Sequence, residues 1–349
     1  MTIGGAVCDV FIDSLSSELT VIDGPEAGEH SVIFPGGRKI ELSAVRYAVG
    51  GGAANVACGL AKFGLPTAAF FKTGTDYTAD FVRTNLALAG IEMRYATTDH
   101  RHPTGISFVL PSPSSDRTVL IYRGSNATIE EHELPCAAFG EFRGVYIAPV
   151  SGNLITHLPL IVSKAHEAGC RTMHNPSKPE LSKQNLTLLL EALPYIDIIM
   201  LNKAEACCLY QLLTDGVSAF STAAFFEELH RRGASIIIVT DGEKGAQCST
   251  TEEFLHQPGF PTTVANTVGA GDSFGAAFFG AFLRGAPLQK ALLFGALNSA
   301  SVLGCPTPHG GLLSAEELEQ KAAVIRMGDA SWEPTFSEQT DGHETTIHS

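Results

Sequence analysis

The stretch "NTVGAGDSFGAAFFGAFLRG", Asn266 to Gly285, decides how this chain is read. A bare turn, Gly269-Ala270-Gly271, leads into one carboxylate, Asp272. An apolar run follows, with small residues at Gly275, Ala276, Gly280 and Ala281. Glycine lets a backbone approach a ligand closely. A helix beginning near Gly271 leaves its first N–H groups unpaired, and with the helix dipole they form an anion site. An acid beside a bound anion is repulsive, so its placement needs a reason. A general base that takes the proton from an attacking hydroxyl is one. A plain helix cap is the other, since Asp is favoured there. The small residues suit close helix packing in either case. The turn is not a Walker A loop, because the chain contains no Gly-Lys dipeptide.

A second bare turn stands near the start, in "VGGGAANVACGLAKFG", Val49 to Gly64. Gly50, Gly51 and Gly52 precede Asn55 and a helical apolar pattern through Val56, Leu60 and Phe63. The polar group offered here is an amide, which suits hydrogen bonding to hydroxyls. A packing turn in a βαβ unit is an alternative. A dinucleotide fingerprint is a weaker one: Gly-x-Gly-x-x-Gly is not satisfied, and Lys72 and Thr73 stand where its acid belongs.

The rest of the chain narrows the class. Its 349 residues are 44% hydrophobic and 17% charged, enough for a sizeable core in one large α/β domain or two smaller ones. The formal charge of −14 argues against a nucleic-acid partner or an anionic membrane surface. No apolar run approaches the roughly eighteen residues of a membrane helix. The N-terminus has no basic region ahead of an apolar one, so a cytoplasmic chain is expected. Eight scattered cysteines form no Cys-x-x-Cys pair and read as reduced thiols. "HETTIH", His343 to His348, has one residue too many between its histidines for a zinc-protease motif.

Strand and helix alternate. "TIGGAVCDVFI" reads as a first strand, and "PTAAFFK", "GVYIAP", "IDIIML" and "ASIIIVT" as further ones. Such runs fit a parallel sheet covered on both faces. Helical segments lie between them, among them "LITHLPLIVSKAHEAG" and "STAAFFEELHRRG". Two stretches, "EHSVIFPGGRKIELSAVRYAV" and "TGISFVLPSPSSDRTVLIYRG", alternate like β-hairpins and suggest a small flap.

Taken together, "GGGAANVA" and "NTVGAGDSF" resemble the signatures of the ribokinase-like (PfkB) sugar kinases. "LNKAEA" resembles that family's Asn-x-x-Glu motif, and "VTDGEKGA" its Thr-x-Gly-x-x-Gly segment. The resemblance covers roughly residues 1–325. It implies a three-layer α/β/α core with a mostly parallel sheet, and a β lid from about 13–47 and 104–124. The kinase domain would span 1–330, with a disordered tail at 331–349.

The implied activity is phosphoryl transfer from ATP to a hydroxymethyl group of a sugar or nucleoside. Asp272 would be the base, with the N–H groups of Gly269, Ala270 and Gly271 as the anion hole. Glu205 and Asn202 would orient Mg²⁺ and the phosphates, and Thr240, Gly242, Gly245 and Asn298 would line the nucleotide site. Asp9, Gly51, Gly52 and Asn55 would bind substrate. The lid would close over the site and pair two subunits in a homodimer. A catalytically silent, ligand-binding relative is the competing reading, and a Rossmann oxidoreductase a third.

Four positions depart from the family's pattern. Asn266 stands where Asp is common near a monovalent-cation site, which leaves K⁺ activation open. Gly52 stands where ribokinases tend to carry Lys. "VSGN" follows "GVYIAP" without the sugar-binding Glu. Arg123 lies in a Tyr-Arg segment like one that meets the substrate carboxylate in keto-deoxy-gluconate kinases; a surface arginine paired with an acid is the alternative.

Overall fold

Short runs of Ile and Val can be buried on both sides only if helices cover both faces of a sheet. The computed structural model, which describes residues 1–12, 20–23, 30–33, 36–110, 118–326 and 346–348, uses them in that way. Its main sheet runs Phe254–Gln257, Ala246–Ser249, Ile236–Thr240, Ile198–Asn202, Arg171–His174, Gly144–Ile147, Thr2–Ile3 and Ala69–Phe70. The last six are mutually parallel. The first two return antiparallel at one edge.

Alternate residues of each strand serve opposite layers. Val145, Ile147, Ile199, Leu201, Ile237 and Val239 pack with the helices Leu158–Glu167, Leu186–Ala192, Lys203–Leu213 and Thr222–Arg231. Tyr146, Ile198, Met200 and Ile238 face the helices Gly52–Lys62, Ala270–Leu283 and Leu288–Leu303. The core is the three-layer α/β/α arrangement expected.

The first strand differs from the expectation. "TIGGAVCDVFI" is two strands in two sheets: Thr2–Ile3 lies in the main sheet and Val7–Ile12 in the lid. The break falls at Gly4, whose φ of 148° is open to glycine and strained for other residues. Val7–Ile12 pairs with Ala44–Gly50 on one side and Gly105–Leu110 on the other; Thr118–Tyr122 pairs with Gly105–Leu110. The lid sheet therefore includes Val7–Ile12 and reaches Gly50, beyond the segments expected from sequence. His30–Ile33 pairs separately with Thr20–Asp23. Pro35 of the turn "PGG" and all of "PSPSSD" lie outside the described residues.

Of the tail expected to be disordered, Thr346–His348 are described, and they pair antiparallel with Ala44–Arg46 at the lid's edge. Among the described residues no helix is long and apolar enough to cross a membrane. All eight cysteines are free thiols.

Candidate active site

The helix Ala270–Leu283 starts behind Gly269, which is left-handed at φ 84°. A Cβ there would also lie 2.6 Å from the Cβ of Pro308. Gly269 is the cap, and no side chain caps this helix. Asp272, third in the helix, turns away and accepts a hydrogen bond from Asn55 Nδ2 at 2.8 Å. The plain-cap reading of Asp272 therefore does not hold. The Ala270 N–H reaches Thr267 O at 3.4 Å. Those of Gly269, Gly271 and Asp272 donate to no protein acceptor among the described residues. The turn thus presents unspent donors next to an acid.

The apolar run behind it is a packing surface. Cβ atoms on Gly59 and Gly275 would lie 2.5 Å from Ala276 Cβ and 2.2 Å from Tyr146 Oη, respectively. The helices Gly52–Lys62 and Ala270–Leu283 cross at that contact, and this brings Asn55 to Asp272. Gly51, at φ 90°, turns the chain into the first of these helices. Gly52 opens it, and a Cβ there would lie 2.9 Å from both Ala148 Cβ and Pro149 Cδ. The wall after strand Gly144–Ile147 thus crowds any side chain at 52, lysine included, and would have to shift to admit one.

Asp9 sits in mid-strand in the lid, within Val7–Ile12. It is buried and accepts a hydrogen bond from Ser107 Oγ. Burial pushes its carboxyl up to about 6; the Ser107 bond opposes this, and the charge of Asp272 adds to it. Burial likewise pushes Asp272 up to about 6, against the Asn55 bond. Water still reaches Asp272, which is only half-buried. The two carboxyl groups lie near enough for the charge of Asp272 to act on Asp9.

Asn202 and Thr240 are paired at the C-terminal ends of adjacent parallel strands, where open α/β sheets bind ligands. Asn202 caps the helix Lys203–Leu213: its Oδ1 accepts from Glu205 N–H and Glu205 Oε2 from Asn202 N–H, each at 2.9 Å. The other Glu205 oxygen bonds no protein group among the described residues. Glu205 is held above its usual range by burial, then by the charges of Glu180 and Asp272, while the Asn202 N–H and Lys178 oppose the shift. A hard cation would relieve that crowding of acids, so the residues present fit Mg²⁺. Gly242 (φ 53°) and Gly245 (φ 87°) form the tight turn after Thr240.

Asn298 is 1% exposed and both its polar groups are engaged by protein: Nδ2 donates to Ser273 O at 2.7 Å, and Oδ1 accepts from Leu313 N–H at 2.8 Å. It fastens the start of the Ala270 helix, which leaves one amide N–H and one oxygen lone pair outside these two bonds. Arg123 is exposed where the lid strand Thr118–Tyr122 ends, and its guanidinium meets no acid among the described residues. The surface ion pair weighed from sequence is thus absent there.

Three contributors escaped the sequence reading. Ser107 bonds Asp9. His309 Nε2 lies 2.9 Å from Asn55 Oδ1. Glu180, 1% exposed, accepts from Val150 N–H at 3.1 Å and faces the buried His174 Nε2 at 2.9 Å. No local pattern marks these roles, because Ser107 reaches Asp9, His309 reaches Asn55 and Glu180 reaches Val150 from distant segments.

The family described as pfkB family carbohydrate kinase matches residues 25–311. The chain is 28% identical to a ribokinase of Staphylococcus aureus over 81% of its length and 90% of the relative's. It is 27% identical to a deoxyribokinase of Salmonella typhi (75% and 85%) and 23% identical to a 5-dehydro-2-deoxygluconokinase of Bacillus licheniformis (86% and 98%). In fold it is similar to an Arabidopsis thaliana ribokinase solved with ribose and ATP, at TM-score 0.74 and 19% identity over 91% of this chain and 96% of that one. It is similar to an E. coli structure described as a putative ribokinase II with ATP and Mg²⁺, also at TM-score 0.74, with 18% identity over 92% and 98%.

Proposed function

The chain belongs to the pfkB family of carbohydrate kinases, and we propose that it moves the γ-phosphoryl group of ATP to a hydroxymethyl group of a small neutral sugar, with Asp272 as the base. The carrying observation is a carboxylate in the first turn of an apolar helix that caps nothing and lies beside unspent N–H donors. Asp272 takes the proton of the attacking hydroxyl as the hydroxyl oxygen bonds to the γ-phosphorus and the bond to the leaving ADP oxygen breaks. The N–H groups of Gly269, Ala270 and Gly271 hold the charge on the transferring group. Glu205, with Asn202, would hold Mg²⁺, which neutralises phosphate charge when bound. Thr240, Gly242 and Gly245 line the nucleotide side. Asp9, Gly51, Gly52 and Asn55 hold the sugar. A pfkB chain that had become a silent binder would have no use for Asp272.

Asn266 bears on K⁺. It is 1% exposed, donates from Nδ2 to Pro306 O at 3.1 Å and accepts from Val268 N–H at 3.0 Å. At this position, where the family resemblance puts Asp near a monovalent-cation site, an amide hydrogen meets the Pro306 carbonyl. These residues do not fit a K⁺ requirement.

A second reading has one observation behind it. The fork of Arg123, which meets no acid among the described residues, suits a carboxylate, and one relative is named for a sugar acid. The test is ADP release from ATP with ribose, 2-deoxyribose, a nucleoside and 5-dehydro-2-deoxygluconate. Ribose or deoxyribose is expected to turn over, with R123A silent. Release with the acid alone, and a KM for it raised by R123A, would establish the second reading instead. ADP release with none of the four would overturn both.

Apolar side chains on one face of the lid, Phe108 (40% exposed), Leu120 (54%) and Tyr122 (50%), favour a homodimer that covers them. ATP as donor and eight free thiols suit the cytoplasm.

A further inference from the structure

We infer that His309 is a positioning residue for the transfer: its imidazole fixes the orientation of the Asn55 amide, which among the described residues is the one side-chain donor to Asp272. The inference rests on the reading of Asp272 as the base. Three contiguous side chains carry it. Asn55 Nδ2 stands 2.8 Å from Asp272 Oδ2, and Asn55 Oδ1 stands 2.9 Å from His309 Nε2. Asn55 is 5% exposed, so water cannot readily replace either partner.

An amide has two faces, and only one suits each neighbour. With Asp272 ionised, Nδ2 must face the carboxylate, because a flipped amide would set oxygen against oxygen. Oδ1 then faces His309, and the ring must offer Nε2–H. The opposite tautomer would oppose two lone pairs there, and would favour the flip that takes the donor from Asp272. A donor at position 309 thus holds the amide in the orientation in which the base is ready to accept a proton. His309 reaches this position from the turn after the helix Leu288–Leu303, in "CPTPHGG". The same turn carries Pro308, which packs against Gly269. It therefore touches both the glycine turn and the amide that serves the base.

The Asn55 bond holds the Asp272 carboxyl down against burial, so loss of the donor at 309 should raise its titration midpoint further. The other ionisable groups that interact with Asp272 are Asp9, Glu205 and Tyr146. None of them is altered by a change at 309.

The test is a carbon-13 carboxyl titration of the full chain labelled at aspartate, with the Asp272 signal assigned by its loss in D272N. The midpoint, near 6 in the parent, is expected to rise in H309A by up to about one unit. It should return in H309Q, whose side-chain N–H reaches the place of Nε2. H309M fills the same space without a donor and takes the place of H309A if that variant loses its fold. In turnover with ATP and the best acceptor of the sugar panel, H309A should lose roughly tenfold, with its acidic limb moved to higher pH, and H309Q should recover most of the rate. In an N55A background the same change at 309 should cost nothing more. An unchanged Asp272 midpoint, or a loss that persists without Asn55, overturns the inference. An active D272N overturns the base assignment instead, and the two failures are distinguishable.

Discussion

At the scale of single residues, the site gathers acids that burial and mutual repulsion disfavour as anions. Asp272 is the test case. A carboxyl held near 6 must lose its proton to act as a base, so turnover should rise as pH increases through about 6. D272N should keep the fold and ATP binding and lose turnover by about 10²-fold or more. Near-parent turnover in a steady-state ADP assay would leave Asp272 without that role.

The same shift predicts stability. A group whose folded pKa lies above its unfolded value keeps its proton longer in the native state. Its contribution is fully favourable below about 4, the unfolded value, and is lost as pH rises to about 6. D272N should therefore be isostable with the parent near pH 4 and more stable by about 1–2 kcal/mol at pH 7, the lower end reflecting water access. Urea denaturation at both pH values checks the sign. Asn266 carries a third expectation: replacing K⁺ by Na⁺ or choline should change turnover by less than about twofold, because its amide hydrogen already serves the Pro306 carbonyl. A strict K⁺ requirement would show that the amide does not stand in for the ion.

At the scale of elements, the crossing of the helices Gly52–Lys62 and Ala270–Leu283 sets the distance between Asn55 and Asp272. Gly59 lets them approach, with Ala276 where its Cβ would stand. Gly59→Val would overpack that crossing and is expected to destabilise the fold by about 1–3 kcal/mol. It should also lower turnover more than it raises the KM for ATP, since the turn after Thr240, proposed to line the nucleotide, lies on other elements. Thermal melting and a two-substrate rate analysis read the two effects. A loss of stability with parental kinetics would mean that the site tolerates a wider crossing.

At the scale of the whole molecule, the lid is a twisted sheet with apolar groups facing outward. Phe108, Leu120 and Tyr122 share one face, and Val119 and Ile121 the other. One face turned to the site and one turned to solvent leave apolar area that a second lid could cover. Sedimentation at micromolar concentration should show a dimer, and Leu120→Asp with Tyr122→Ser should shift it to monomer without loss of helix signal. A parent that sediments as a monomer with and without sugar would count against lid pairing.

The sequence by itself determined the core. Apolar runs of four to six residues between helix-length segments can only be a covered parallel sheet, and glycine turns ahead of apolar helices mark where donors are left unspent. Those signals are local: they arise from periodicity and from φ, which a single segment carries. It did not determine where the first strand changes sheets, because "TIGGAVCDVFI" is equally apolar on both sides of Gly4 and Gly5. Nor did it give the short, polar strands Arg171–His174 and Ala246–Ser249, which pairing makes and propensity does not. What crowds a side chain at Gly52 is a wall ninety-odd residues away, at Ala148 and Pro149. The engagement of Asn298 by Ser273 and Leu313, and the reach of His309 to Asn55, are contacts between distant segments. Only packing brings such groups within hydrogen-bond distance, so only the tertiary structure decided which polar residues face the chemistry and which hold it in place.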